Sequence, residues 1–388
     1  MSTIPRSPYL PDIIEEIRQS PVYHRFINLL KVYGIRSICD CHAHVSSGRD
    51  GAIKGAPLKL TPEHAFSIGD VKLLYNELFR REGIDFMSFV FDTPLPSYDL
   101  VEKNEELLSD VKSMRDSDSY EIVPFAVVTP DMDYRQVRQW VENGVRGFKM
   151  TPRTASPNVK RGVISDITLA EMLSPEALWL ADSYSLPIVV HLPQLVVSPR
   201  MRPSLKYELL RIVAKFPNMR IILAHLGQAQ TPGKMEDLLS LIQGNGLQES
   251  IWMDISAVTV PSVLAMALES DARLLYGTDI DFTLAERGRY IMFKVTDGQR
   301  VMADEGDKGN IITALVSTNF GEQLKQFVIE AGMELDAPLL LFQYDGLVKA
   351  AEMLKGWGKS EGEIQNALER LFYSNANQLV QKGRENND

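Results

Sequence analysis

The chain has 388 residues, 45% of them hydrophobic, which is ample for a full core, and one large α/β catalytic domain with appendages can take up most of it. Lysine and arginine total 41 against 51 aspartates and glutamates, a net charge of −10, and no basic block marks a nucleic-acid surface. The opening MSTIPRSPYLPDIIEEIRQS has prolines and acids where a secretion signal needs a positive start and an apolar middle, and no apolar run reaches membrane-spanning length, so a soluble, cytoplasmic protein is expected.

In chain order, PDIIEEIRQS and PVYHRFINLLKVYG read as N-terminal helices. Eight short runs rich in Val, Ile and Phe follow: 36–40, 84–91, 122–128, 145–150, 187–191, 220–225, 251–256 and 272–279. Amphipathic stretches such as MDYRQVRQWVENG and SPEALWLADSYS separate them, several opening on a Ser, Thr or Asp cap or a first-turn Pro. Strand and helix alternate throughout. That alternation predicts a parallel sheet, and eight units in about 250 residues predict a (β/α)8 TIM barrel, with its core over 35–281. The rival, an open doubly wound sheet, lacks its Gly-x-Gly-x-x-Gly turn after the first strand.

The tail beyond Asp279 is longer than one closing helix needs. Residues 285–310 read as loop or small hairpin, 311–332 as helix, and 346–388 as closing helices. Since the tail leaves the C-terminal end of the eighth strand, 282–345 is expected to form a cap over the barrel mouth. Helices as apolar as APLLLFQYDGLVKAAEMLKGWG leave room for a homo-oligomer interface or for packing on the barrel's outside.

The ionisable residues concentrate at strand ends. In SICDCHAHVSS, strand periodicity puts Asp40, His42 and His44 on one face, so both imidazoles can reach one ion in the barrel mouth. Lys149, His191, His225 and Asp279 end the fourth, fifth, sixth and eighth runs, so four of the six histidines lie where a barrel concentrates catalysis. The other two, His24 and His64, fall in helical patterns and read as structural. Imidazole and carboxylate suit zinc, manganese or iron, and the absence of thiolate pairs at finger spacing points to a catalytic ion rather than a structural one. Three or four protein ligands and one open position would lower a water's pKa toward about 7. Cys39 and Cys41, two apart on one strand, share a face, rarely meet disulfide geometry, and read as buried packing residues in a reducing compartment.

At these residues the sequence resembles the amidohydrolase superfamily, in the branch that includes aminocarboxymuconate-semialdehyde decarboxylase. The matching pieces are DCHAH, VRGFKM, PIVVH, IILAHLG, IWMDIS and LLYGTD on successive runs, and a closing LFYSNANQLV similar to the family's terminal helix. The resemblance implies that His42, His44 and His191 bind a divalent metal, most simply zinc, with Asp279 as a further ligand or proton-transferring base. It implies a proton-shuttling or polarising role for His225, or a place on a second metal. Lys149 matches the lysine that two-metal members carboxylate as a bridge, and an unmodified ammonium cannot ligate a cation. One ion is favoured over two, following many members of the branch.

Among loop arginines, Arg153, four residues beyond Lys149, and Arg49 are the candidates to hold a substrate carboxylate, with Arg200 and Arg202 behind them; the plain alternative for each is a solvated or acid-paired side chain. The expectation is a metal-dependent hydrolase acting on a lactone, amide or ester of a small, carboxylate-bearing compound. A decarboxylase or hydratase of the same branch is the alternative, because the semialdehyde decarboxylase group keeps the same first-strand motif. A non-catalytic ligand-binding barrel is the remaining one, disfavoured because a dead site has no need of five converging ligands.

Overall fold

Strand β1 spans Ser37–Val45 and so contains both histidines of the DCHAH motif instead of ending at Asp40. The computed structural model describes residues 10–46, 66–94, 99–114, 120–155, 166–194, 201–296, 299–303, 311–317, 322–331, 333 and 335–385. β1 pairs in parallel with β2 (Asp85–Asp92), and the register slips between Asp40 and Ala43, where three steps along β1 match two along β2. This bulge corrects the expectation of a shared face. Cys39 and Cys41 point into the barrel interior, while Ile38, Ala43 and Val45 join the layer between strands and helices. Asp40 therefore parts company with His42 and His44, because one extra residue shifts the alternation by one position. The two cysteines are free and buried, with sulfurs 3.6 Å apart.

The remaining parallel strands are β3 (Glu121–Pro124), β4 (Ala126–Val127), β5 (Phe148–Met150), β6 (Pro187–Val190), β7 (Arg220–Leu223), β8 (Ile251–Asp254) and β9 (Arg273–Leu275). They form one sheet in the order β1-β2-β3 and a second in the order β4-β5-β6-β7-β8-β9. The third predicted run is split at Phe125, which follows Pro124, a residue unable to donate to a ladder. Phe125 N nevertheless donates to Val90 O at 2.8 Å and carries the chain from one sheet to the other. At the opposite seam Cys41 N donates to Tyr276 O at 2.8 Å and Asp279 N to His42 O at 2.7 Å, which closes the barrel.

Phe89, Phe91, Phe125, Val127, Val189, Ile222 and Trp252 fill the interior with the two cysteines, while alternate residues such as Val90, Phe148, Ile188 and Met253 pack outward against the helices. Each large buried side chain contributes about 1.5–3 kcal/mol. The sheet is apolar on both faces, as a helix-covered parallel sheet must be. Polar side chains are left to the strand ends.

Gly277 shows how tightly the site end is drawn together. A Cβ built there would lie 2.9 Å from His42 Cβ and 3.2 Å from Ser256 Cβ. Gly277→Ala is therefore expected to destabilise the fold by about 1–3 kcal/mol through overpacking, read as a lower urea midpoint. An unchanged midpoint would show that β1 can shift freely.

Beyond the barrel, β10 (Gly288–Thr296), β11 (Gln299–Met302) and β12 (Ile312–Ser317) form an antiparallel sheet in the order β11-β10-β12. The expected hairpin is present, but the helix expected from 311 is corrected to a strand over 312–317 followed by a helix over 322–330. The β-branched stretch ITALV finds a ladder on β10, and tertiary pairing overrides its helical pattern. The helix Leu339–Gly356 runs across the boundary expected at 345/346. A last helical segment, 361–385, returns to the barrel, where Tyr276 N donates to Leu371 O at 2.8 Å and Asn375 Nδ2 to Leu274 O at 2.8 Å. Among the described residues no helix is long and apolar enough to cross a membrane.

Candidate metal centre

The C-terminal strand ends deliver His42, His44, Lys149, His225, Asp254 and Asp279 into one buried cluster. His42 is at its middle. Its Nδ1 lies 2.9 Å from Asp254 Oδ2, which can only accept once ionised, so Nδ1 carries the proton and Nε2 is left with a bare lone pair. That lone pair faces Lys149 Nζ at 2.9 Å, His44 Nε2 at 3.3 Å and Asp279 Oδ1 at 3.7 Å. Asp279 Oδ1 is also 3.4 Å from His44 Nε2.

His42 Nε2, His44 Nε2 and the Asp279 carboxylate thus satisfy the mutual spacing of a metal-binding group, with ligand atoms within 4.8 Å of one another. The donor chemistry fits a divalent ion. Burial first, and then the Lys149 charge, hold His42 down to about 3 and His44 well below its usual value, so both rings are neutral near pH 7. Burial brings Lys149 down to about 8, and lifts Asp279 to about 7 against the pull of Lys149. His42, His225 and Asp254 form a second group at similar spacing, but their atoms are already joined through hydrogen bonds and serve as a brace.

The brace centres on Asp254, which is fully buried. Its Oδ1 accepts from His225 N and Ser256 N, both at 3.0 Å, and from Ser256 Oγ. Burial works to raise this carboxyl, yet the contacts with His42, His225 and Ser256 outweigh it and hold it below the usual carboxylate range. His225 Nδ1 meets the Ser256 carbonyl at 2.9 Å, which again fixes the proton on Nδ1 and leaves Nε2 open, 3.9 Å from Asp279 Oδ2. Asp40, by contrast, accepts from Thr278 Oγ1 at 2.5 Å, from Thr278 N and His42 N, and from the Tyr75 hydroxyl. It anchors the eighth strand end to β1 and is not a member of the cluster.

His191 is placed apart from the trio. Its Nε2 faces Gln228 Nε2 at 3.1 Å, although its ring centre is only 5.0 Å from that of His225. Residues 225–228 all adopt left-handed backbone, with φ between 52° and 62°, which costs roughly 1 kcal/mol or more at each non-glycine position. The strain is held by surrounding donors, among them Lys234 Nζ on Gln228 O at 3.1 Å and the Gln194 amide on Gly227 O.

A cavity of about 300 Å³ opens onto the cluster, lined by His44, Lys149, Arg153, His191, His225 and Asp279 together with Gln194, Gln228, Gln230, Asp281 and Tyr290. Arg153 is exposed at its rim on a short 3-10 turn, Pro152–Thr154, that continues from β5. The antiparallel sheet reaches the same wall through β12, where Thr313 Oγ1 donates to Gln230 O at 2.6 Å. Arg49, Arg200 and His64 lie outside the described residues, Arg202 donates to Ile167 O at 2.9 Å, and His24 is exposed on the helix Pro21–Val32.

Asp254 and Asp281 were not singled out from the sequence. Asp254 ends the seventh run, where the strand-end rule applies as it does to Asp279, so a signal was present. Asp281 lies two residues past Asp279 and is pushed up to about 7 by burial and then by the Asp279 charge. The glutamines carry no charge or spacing signal, and only the folded loops bring them together.

Imidazoles and carboxylates gathered at the C-terminal ends of barrel strands define a metal-dependent barrel enzyme. The profile of the Amidohydrolase family matches residues 39–379, most of the length, and the chain belongs to that family. Members of the superfamily bind divalent metals, and this protein is an enzyme of their metal-dependent hydrolase or decarboxylase type. Among solved structures it is similar to a Pseudomonas putida protein assigned as a 2-pyrone-4,6-dicarboxylic acid hydrolase, at 14% identity and a TM-score of 0.48 over 89% of this chain and 98% of that one. It is also similar to a dihydroorotase of Campylobacter jejuni, at 12% identity and a TM-score of 0.45 over 89% and 84% of the two chains. No curated protein matches it in sequence.

Proposed function

We propose that this enzyme hydrolyses a small, carboxylate-bearing compound at a C–O or C–N bond of a lactone, ester or amide, using one divalent ion, zinc first and manganese or iron next. The observation that carries the reading is the convergence of His42 Nε2, His44 Nε2 and the Asp279 carboxylate within 4.8 Å at the floor of a cavity. These three would hold the ion, with His191 joining once Gln228 releases its Nε2. When bound, the ion supplies a Lewis acid and lowers the pKa of a water toward about 7.

The chain's own residues supply the rest. Asp254 holds His42 in the tautomer that presents Nε2. Asp279 takes the proton released by the attacking water and returns it to the leaving group, and His225 Nε2, 3.9 Å away, is placed to polarise the substrate or relay that proton. Arg153 at the rim offers a two-pronged grip for a substrate carboxylate. The two free, buried thiols agree with a reducing, cytoplasmic setting.

Metal content per chain, measured by plasma mass spectrometry on protein purified without chelators, tests this reading. One ion is expected, and it is expected to persist in Lys149→Ala, since an ammonium is no ligand. Two ions falling to one on removal of Lys149 would instead establish a bridging, carboxylated lysine. No ion in any preparation would overturn the proposal.

A further inference from the structure

The chain leaves the barrel at Glu286 and returns at Leu339, and the two ends of this excursion lie side by side. Leu339 N donates to Glu286 O at 2.9 Å, Gly288 N donates to Ala337 O at 3.1 Å, and Arg287 pairs with Pro338 as an isolated antiparallel bridge. Arg287 also grips both carboxylate oxygens of Glu16, at 2.8 and 2.9 Å, which pins the root to the helix Leu10–Gln19. The antiparallel sheet that grows from this root has a small core of its own, where Ile291, Phe293 and Val316 pack with Val328 of the helix over 322–330.

Strand alternation turns the other face of the sheet to the barrel. Tyr290 stands opposite Leu315 and Met292 opposite Thr313; Tyr290 and Met292 pack with the main core, and Thr313 is bonded to Gln230 O. Among the described residues, Tyr290 is the sheet's sole contribution to the cavity of about 300 Å³. It is half-buried, so part of its ring stays open, and its hydroxyl is engaged with the Gln230 side chain. Phe282, on the short helix Ile280–Ala285, lines the same cavity and is half-buried as well. Neither ring serves the metal, the proton relay or the grip on a carboxylate. Open aromatic surface in a cavity is poorly solvated, and a ligand's hydrocarbon covers it favourably.

We propose that Tyr290 is a specificity residue, supplied to the barrel by the antiparallel sheet, whose ring joins that of Phe282 in seating a hydrocarbon group of the substrate. The inference rests on the reading of this cavity as the substrate site of a metal-dependent hydrolase. It makes the compound amphipathic, with an apolar chain or ring in addition to its carboxylate and scissile bond. The sheet then has a task that the barrel alone does not perform: it selects what the metal cluster acts on.

Hydroxamates hold a divalent ion through both oxygens, so they carry a chosen substituent into the cavity without knowledge of the substrate. The test is calorimetric titration of the full-length, metal-containing protein with acetohydroxamate, hexanohydroxamate and benzohydroxamate. Each methylene withdrawn from water tightens binding by about fourfold. At least one of the two larger probes is therefore expected to bind about tenfold tighter than acetohydroxamate or more. That gain is expected to survive in Tyr290→Phe, which keeps the ring, and to fall to within about threefold in Tyr290→Ser, which keeps a hydroxyl and loses the ring. Phe282→Ala is expected to give the same loss and suffices should Tyr290→Ser fail to fold. No gain for either larger probe, whether or not acetohydroxamate binds, overturns the inference, as does a gain that stays above about threefold without the rings or that is lost equally in Tyr290→Phe. Metal content of the same preparation reads the hydrolase proposal separately. Metal-loaded protein without the gain overturns the hydrocarbon seat alone, whereas a gain in protein that holds no metal keeps the seat and sinks hydrolysis.

Discussion

Asp254→Asn is expected to lower metal affinity by about 10–100-fold, measured by competition with a chromogenic chelator. The carboxylate sits between donors on both sides: His42 Nδ1 at 2.9 Å on one oxygen, and the backbone N–H groups of His225 and Ser256 at 3.0 Å on the other. An asparagine has one oxygen for these two tasks. If its NH2 turns toward His42, it donates into Nδ1 and drives the proton to Nε2, which removes the lone pair from the cluster. If it turns the other way, it confronts two N–H donors, and the left-handed start of the 225–228 segment loses its anchor. Turnover falls in either case. Stability falls as well, by about 1–3 kcal/mol for the unmatched buried groups. Unchanged chelator competition would show that the His42 tautomer is set by Ser256 Oγ, 3.1 Å from Nδ1, and not by Asp254.

Asp279→Asn is expected to cut turnover by about 10²–10⁴-fold while the fold survives. Asparagine is the informative replacement because residue 279 has φ 57°, a left-handed conformation that asparagine tolerates and alanine does not. The backbone bond from residue 279 N to His42 O, 2.7 Å, is retained. What disappears is the group that can carry a proton near neutral pH. Turnover and circular dichroism on one preparation, with metal content as a control, separate the outcomes: a folded, metal-containing variant above a tenth of parental activity would remove Asp279 from proton transfer.

Much of this site is legible in the linear chain because barrel geometry turns one-dimensional position into three-dimensional address. A polar residue closing an apolar run lies at the mouth of the barrel, so His42, His44, Lys149, His225 and Asp279 could be gathered from spacing alone. The same rule reaches His191 and would have reached Asp254. It does not reach Asp40, since periodicity of two assumes an uninterrupted ladder and the bulge between Asp40 and Ala43 breaks it. Nor does it reach β12, whose ITALV pattern is ambiguous until β10 lies beside it.

The sequence by itself determined the alternation of strands and helices, the parallel barrel, and the residue types offered at its mouth. These follow from local periodicity and from the rule that polar groups avoid a sheet buried on both faces. Only the tertiary structure decided which nitrogen of His42 is free, that Lys149 rests on it, and that Gln228 holds His191 aside. Those facts depend on distances between residues up to 212 positions apart, set by side-chain packing and hydrogen-bond direction, which no pattern along one strand can encode.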